Sequence, residues 1–150
     1  MSANEPLLLK AFRGENTTIP VWFMRQAGRF LPEYRAIKEK HSLGEMFKTP
    51  ELAAKITCLP IDILKVDAAI LFADILTLPA QMGIDVEFTK DQEPIIRNPI
   101  SQNSDVPKLK DISDIKYLTE TISLVNKTLP LFHIKGSGGE ARPGADVFGE

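Results

Sequence analysis

One cysteine, Cys58, stands among 150 residues. That excludes an internal disulfide and points to a reducing compartment. Histidine is nearly as scarce, with two. His41 and His133 lie far apart and share no ligand spacing with Cys58, which argues against a metal site. No charge sign dominates: the formal net charge is -2 and the pI about 5.7, so no bulk property calls for nucleic acid or an anionic membrane surface. No apolar run is long enough to span a bilayer. The three leucines at 7–9 do not make a signal-peptide core. The chain reads as cytoplasmic. Glycine is sparse until the end, where residues 136–150 hold five of the nine. That stretch has no apolar periodicity and reads as a loop or disordered tail.

What is present reads as an α/β pattern. Residues 6–14 suggest a short helix closed by Gly14. Residues 18–24, "TIPVWFM", are β-branched and aromatic and alternate poorly, which predicts a strand buried on both faces with Trp22 and Phe23 in the core. Pro32 and Glu33 suit the first turn of a helix. Thr49, Pro50 and Glu51 open another, which Pro60 is expected to bend or break. Residues 68–73 form a second apolar run ending at Asp74. "VEFTK" and "PIIRN" suggest a small hairpin. Ile115, Leu118, Ile122 and Val125 have helical spacing within 111–129, with Ser113 or Asp111 as a cap, and 129–134 reads as a third strand. Strands separated by helices imply crossover connections and a parallel sheet.

Two strand ends carry the candidate chemistry. Arg25 and Arg29 follow the 18–24 run, where a strand emerges into a loop, and ligands bind at that edge of α/β folds. Gly28 between them lets the backbone approach a ligand closely. Two guanidiniums on one short turn suit carboxylates or phosphates. The alternative is that they are surface arginines or pair with Glu33 and Asp67. Asp74 ends the next apolar run, where a carboxylate is costly unless paired or hydrogen-bonded. It suits a ligand bearing N–H donors, or else it caps the helix that follows. Cations from one strand end and an anion from the next match a ligand acidic at its rim and donating N–H at its centre. Cys58 reads as core. "GSGGEA" at 136–141 fits a loose dinucleotide-binding pattern, but Pro143 and Gly144 break the helix that motif needs and no acidic residue follows at the required distance.

The segment "PVWFMRQAGRFLPEYR" resembles the N-terminal signature of uroporphyrinogen decarboxylases. The likeness continues through "TPELAAKIT" and "DAAILFADILTLPAQMG" and covers residues 5–131. It implies a (β/α)8 TIM barrel and stepwise decarboxylation of the four acetate side chains of uroporphyrinogen III to coproporphyrinogen III, in tetrapyrrole (heme) synthesis. It also implies no cofactor, no metal and a homodimer. By position, Asp74 corresponds to the family's central aspartate, accepting pyrrole N–H bonds and stabilising a cationic intermediate. Arg25 and Arg29 would bind substrate carboxylates, with Arg25 a proton donor. Gln26, Ala27 and Gly28 would complete the binding turn. Lys38 falls where some members carry an arginine facing the substrate.

Such a barrel needs about 250 residues. The expected organisation is therefore an incomplete barrel over 1–134 and a divergent Gly-rich tail over 135–150. A truncated chain of this kind, with unpaired strand edges, is expected to be poorly soluble or partly molten, and inactive alone. The other readings are a non-catalytic porphyrinogen-binding fragment that needs a separate C-terminal chain, and a corrinoid-dependent barrel methyltransferase, against which the arginine signature speaks.

Overall fold

Pro6 has no N–H to leave unsatisfied, and the first helix, α1 (Leu7–Phe12), follows it directly. Gly14 then turns the chain with φ at 70°, as its position predicts. The computed structural model describes residues 6–24, 27, 30–89, 94–112, 115–129 and 134–135.

Residues 18–24 depart from expectation. They join neither sheet found among the described residues, and the segment is largely solvent-facing, with Ile19 84% and Met24 80% exposed. Trp22 and Phe23 are exposed too, so neither is core. A buried parallel strand needs cover on both faces, and these side chains are largely open to solvent. Val21 is instead tied to Asp67: its N–H donates to the Asp67 carboxylate (2.8 Å) and its carbonyl accepts the Asp67 N–H (2.8 Å).

Helix α2 (Pro32–Lys38) begins as read, with Pro32 and Glu33 in its first turn. Helix α3 (Leu43–Lys48) was not foreseen, although Ser42 caps it by accepting the Glu45 N–H at 3.2 Å. Helix α4 (Pro50–Leu64) starts at Thr49, whose side chain makes no capping bond. It also continues past Pro60 instead of breaking there. The proline removes one helical donor, but its ring is fully buried, and packing on both sides of α4 holds the helix across the gap.

The last turn of α4 ends at Lys65, in the left-handed conformation (φ 54°, ψ 38°) with its N–H on the Ile61 carbonyl. A Cβ in that region is strained and glycine is not. Lys65→Gly is therefore expected to stabilise the fold by about 0.5–1 kcal/mol, read as a raised urea midpoint.

The predicted strand at 68–73 shortens to β1 (Ala69–Ile70). A short helix, α5 (Thr77–Gln81), follows. The expected hairpin forms: β2 (Val86–Phe88) pairs antiparallel with β3 (Pro94–Ile96), with Glu87 opposite Ile95. Arg97 Nε reaches Glu87 across it at 3.0 Å. A 3₁₀ helix spans Asn103–Lys108. The last helix, α6 (Lys116–Thr128), starts later than read: its N-cap is Ile115, not Asp111, and Ser113 lies outside the described residues. β4 (Ile134–Lys135) pairs in parallel with β1, Ala69 opposite Ile134. Residues 130–133 of the expected third strand and the tail from 136 lie outside the described residues.

Helix α4 divides the core. On one side Ala54, Cys58 and Ile61 meet Val66, Ala69, Leu71, Val125 and Leu129. On the other, Ile56 and Leu59 meet Leu31, Tyr34, Ile37 and Met46. The arrangement is α/β with one parallel strand pair, and the described residues close no barrel.

Candidate functional site

The approach to Asp74 is fixed from behind. Ala68, Ala69 and Leu71 are buried, so the chain leaves β1 anchored in the core. Thr57 on α4 is fully buried, donates to the Ala53 carbonyl (2.7 Å) and accepts the Phe72 N–H (2.9 Å). The Phe72 ring lies edge-on to Tyr34 at 5.8 Å and stacks on Phe47 at 4.9 Å. Phe47 in turn meets Phe88 of the hairpin at 5.8 Å. Each contact restricts the backbone two residues before Asp74.

Asp74 is half-buried, and burial pushes its carboxyl above the usual carboxylate range. Hydrogen bonds from the Leu76 and Ile75 backbone N–H groups oppose that shift without cancelling it. Its carbonyl accepts the Thr77 N–H at 3.1 Å. The carboxylate is thus oriented by the turn into α5, but the N-cap of α5 is Leu76, not Asp74. Among the described residues Asp74 has no cationic partner. Its neighbours Ile75 and Leu78 are exposed, Ile75 at 72%. The result is a partly desolvated acid, held by two N–H groups, beside an open apolar surface.

Of the predicted binding turn, Ala27 is described and packs, half-buried, against the cluster that Phe72 also packs against. Arg25, Gln26, Gly28 and Arg29 lie outside the described residues. Lys38 ends α2. Cys58 is core, as read. Burial, and secondarily the Asp62 carboxylate, pushes its thiol up to about 11, so it carries no thiolate near neutrality. His41 Nδ1 contacts Glu45 Oε1 at 2.8 Å, and His133 lies outside the described residues. Among the described residues no three of His, Cys, Asp and Glu cluster to hold a metal ion, and no helix is long and apolar enough to cross a membrane. A surface groove between the start of α4 and α6, lined by Pro50, Glu51, Thr119, Glu120, Ser123 and Lys127, does not include Asp74.

Sequence reasoning missed two supports of this region. Thr57 is signalled only by being a hydroxyl in an otherwise apolar helical stretch. Phe47 carries no signal beyond its aromaticity, because its partner at 72 is brought to it by tertiary packing.

The family model described as Uroporphyrinogen decarboxylase (URO-D) matches residues 3–137. Similar curated proteins include the uroporphyrinogen decarboxylase of Staphylococcus epidermidis, 44% identical over 144 residues, covering 91% of this chain and 42% of the relative. That of Halalkalibacterium halodurans is 47% identical over 135 residues, covering 86% and 39%. That of Geobacillus thermodenitrificans is 49% identical over 136 residues, with the same coverage. The chain thus spans about 40% of the length of the curated relatives it matches. A match across nearly the whole described chain, including the segments that lead to Asp74, shows that it belongs to the uroporphyrinogen decarboxylase family.

Proposed function

We propose that this chain supplies the N-terminal portion of a (β/α)8 barrel that decarboxylates the four acetate side chains of uroporphyrinogen III to give coproporphyrinogen III. The observation that carries the reading is Asp74 in a chain of this family: a half-buried carboxylate oriented by two backbone N–H groups, four residues past β1 at the end of an apolar run. Loss of CO2 from a pyrrole acetate leaves an electron pair that the protonated ring accepts, and a proton then completes the methyl group. Asp74 accepts the pyrrole N–H bonds and stabilises the cationic ring. A carboxylate already strained by desolvation gains most when positive charge appears beside it, because it is oriented in advance. Arg25 and Arg29 hold substrate carboxylates, with Arg25 the proton donor, and Gln26, Ala27 and Gly28 form the turn that carries them.

The substrate is a small tetrapyrrole in the cytoplasm, and no nucleic acid or membrane takes part. Residues 1–134 form the barrel portion, 135–150 a divergent tail, and the family-length protein a homodimer. The exposed apolar residues at 19–24 and at Ile75 and Leu78 favour one variant of this reading, in which a separate polypeptide supplies the rest of the barrel and this chain alone binds without turning over.

The test is a chimera in which residues 3–137 of this chain replace the matching segment of the S. epidermidis relative. Supplied with uroporphyrinogen III, it is expected to produce the hepta-, hexa-, penta- and tetracarboxylate series in order by chromatography. A folded chimera that yields none of them overturns the proposal.

A further inference from the structure

We propose that Thr57 is a positioning residue for Asp74: its hydroxyl fixes the rotation of the Phe72 peptide, and with it the direction in which the chain enters the site. The role rests on the decarboxylase reading of Asp74. Thr57 lies in the middle of α4 and is fully buried. Its neighbours Ile56 and Cys58 belong to the two opposite halves of the core, so the helix that carries it is packed from both sides. Valine would fill nearly the same space there. What the hydroxyl adds is a pair of directed bonds.

A hydroxyl has one hydrogen to donate and lone pairs to accept with. The Thr57 hydrogen goes to the Ala53 carbonyl, one turn back on the same helix, at 2.7 Å. That bond selects the side-chain rotamer and leaves the oxygen to act toward other groups as an acceptor. It accepts the Phe72 N–H at 2.9 Å. Phe72 lies past the end of β1, beyond the paired residues Ala69 and Ile70. Buried Leu71 and the contacts of the Phe72 ring with Tyr34 and Phe47 hold the same stretch. Apolar packing is non-directional, whereas a hydrogen bond weakens steeply as its donor turns away. The packing therefore decides where Phe72 sits, and the hydroxyl decides how its peptide plane is turned. Two residues on, the Asp74 carboxylate takes the Ile75 and Leu76 N–H groups. Thr57 sets the entry to that turn from the upstream side.

The experiment compares Thr57→Val, which keeps the shape and removes the hydroxyl, with Thr57→Ser, which keeps the hydroxyl and removes a methyl. In the full chain, amide hydrogen exchange at Phe72 is expected to speed about tenfold in Thr57→Val and to stay within about threefold in Thr57→Ser. In the chimera, Thr57→Val is expected to lower kcat about tenfold with KM within about twofold, because a misdirected Asp74 is felt where positive charge develops. Thr57→Ser is expected to keep kcat within about threefold. An unchanged kcat in Thr57→Val overturns the role, and so do equal losses in the two variants, which would assign the effect to lost packing. Should Thr57→Val fail to fold, Thr57→Ser set against Thr57→Ala asks the same question, and equal kcat values in those two overturn the role. The exchange measurement does not depend on turnover: a Phe72 amide that exchanges alike in the unsubstituted chain and in the variant without the hydroxyl overturns the proposal by itself. Absence of turnover in the unsubstituted chimera overturns the decarboxylase reading instead.

Discussion

Asp74→Asn is expected to lower turnover of uroporphyrinogen in the chimera by about 10²–10³, the range for losing one preorganised charge-stabilising group. Asparagine keeps the shape and one oxygen acceptor but not the charge, so the loss falls on kcat more than on KM. The fold should not suffer. Burial raises the Asp74 carboxyl above its unfolded value. A group raised in this way contributes most to stability below the ordinary carboxylate range, and that contribution is lost as pH rises through the raised value. Above that range the ionised carboxylate is a net cost. Asp74→Asn is therefore expected to be at least as stable as the unsubstituted chain at neutral pH, with the difference vanishing toward about pH 3. Near-normal turnover in Asp74→Asn would remove Asp74 from the chemistry. A lower urea midpoint at neutral pH would show instead that its bonds to Ile75 and Leu76 outweigh its desolvation.

Ile56→Ala is expected to cost about 2–5 kcal/mol, the largest stability effect among these substitutions. Ile56 is fully buried on the face of α4 that meets Leu31, Tyr34, Met46 and Leu59. Its removal leaves a cavity between three helices that cannot all move inward together. The same cluster backs Phe72, so the site loses its support as well as its stability. Ile63 sits on the same helix but is 40% exposed. Ile63→Ala should stay within about 0.5 kcal/mol. Equal losses at the two positions, by urea denaturation, would contradict the division of the core by α4.

Helix positions were legible where local chemistry decides them. Gly14 past α1, Pro32 at the start of α2 and the spacing of Leu118, Ile122 and Val125 all act within a turn or two of their own residue. The hairpin at 86–96 is equally local. Residues 18–24 misled because β-branched and aromatic composition reports only that a segment suits a sheet. A ladder and a cover come from the rest of the chain, and here the segment stays largely exposed and joins neither sheet of the described residues. Pro60 misled for the converse reason: propensity forbids it inside a helix, and burial on both sides of α4 overrides propensity. The partial burial of Asp74 could be read from an acid following an apolar run. Thr57, Phe47 and Asp67 could not, since each acts on a residue at least fifteen positions away.

The pairing of Ala69 with Ile134 carries a consequence for synthesis. The cluster around Ile56 draws its buried members from residues 31–59 and can assemble soon after those residues leave the ribosome. The cluster on the other face of α4 waits for Val125 and Leu129, and β1 waits longer still for its parallel partner. Closing so long a loop is the slow step in chains of high contact order. During that interval the nascent chain presents Ala54, Cys58 and Ile61 uncovered along one side of α4. That is the surface a chaperone would meet first, and it is the opposite side of the helix from the aromatic support of Asp74.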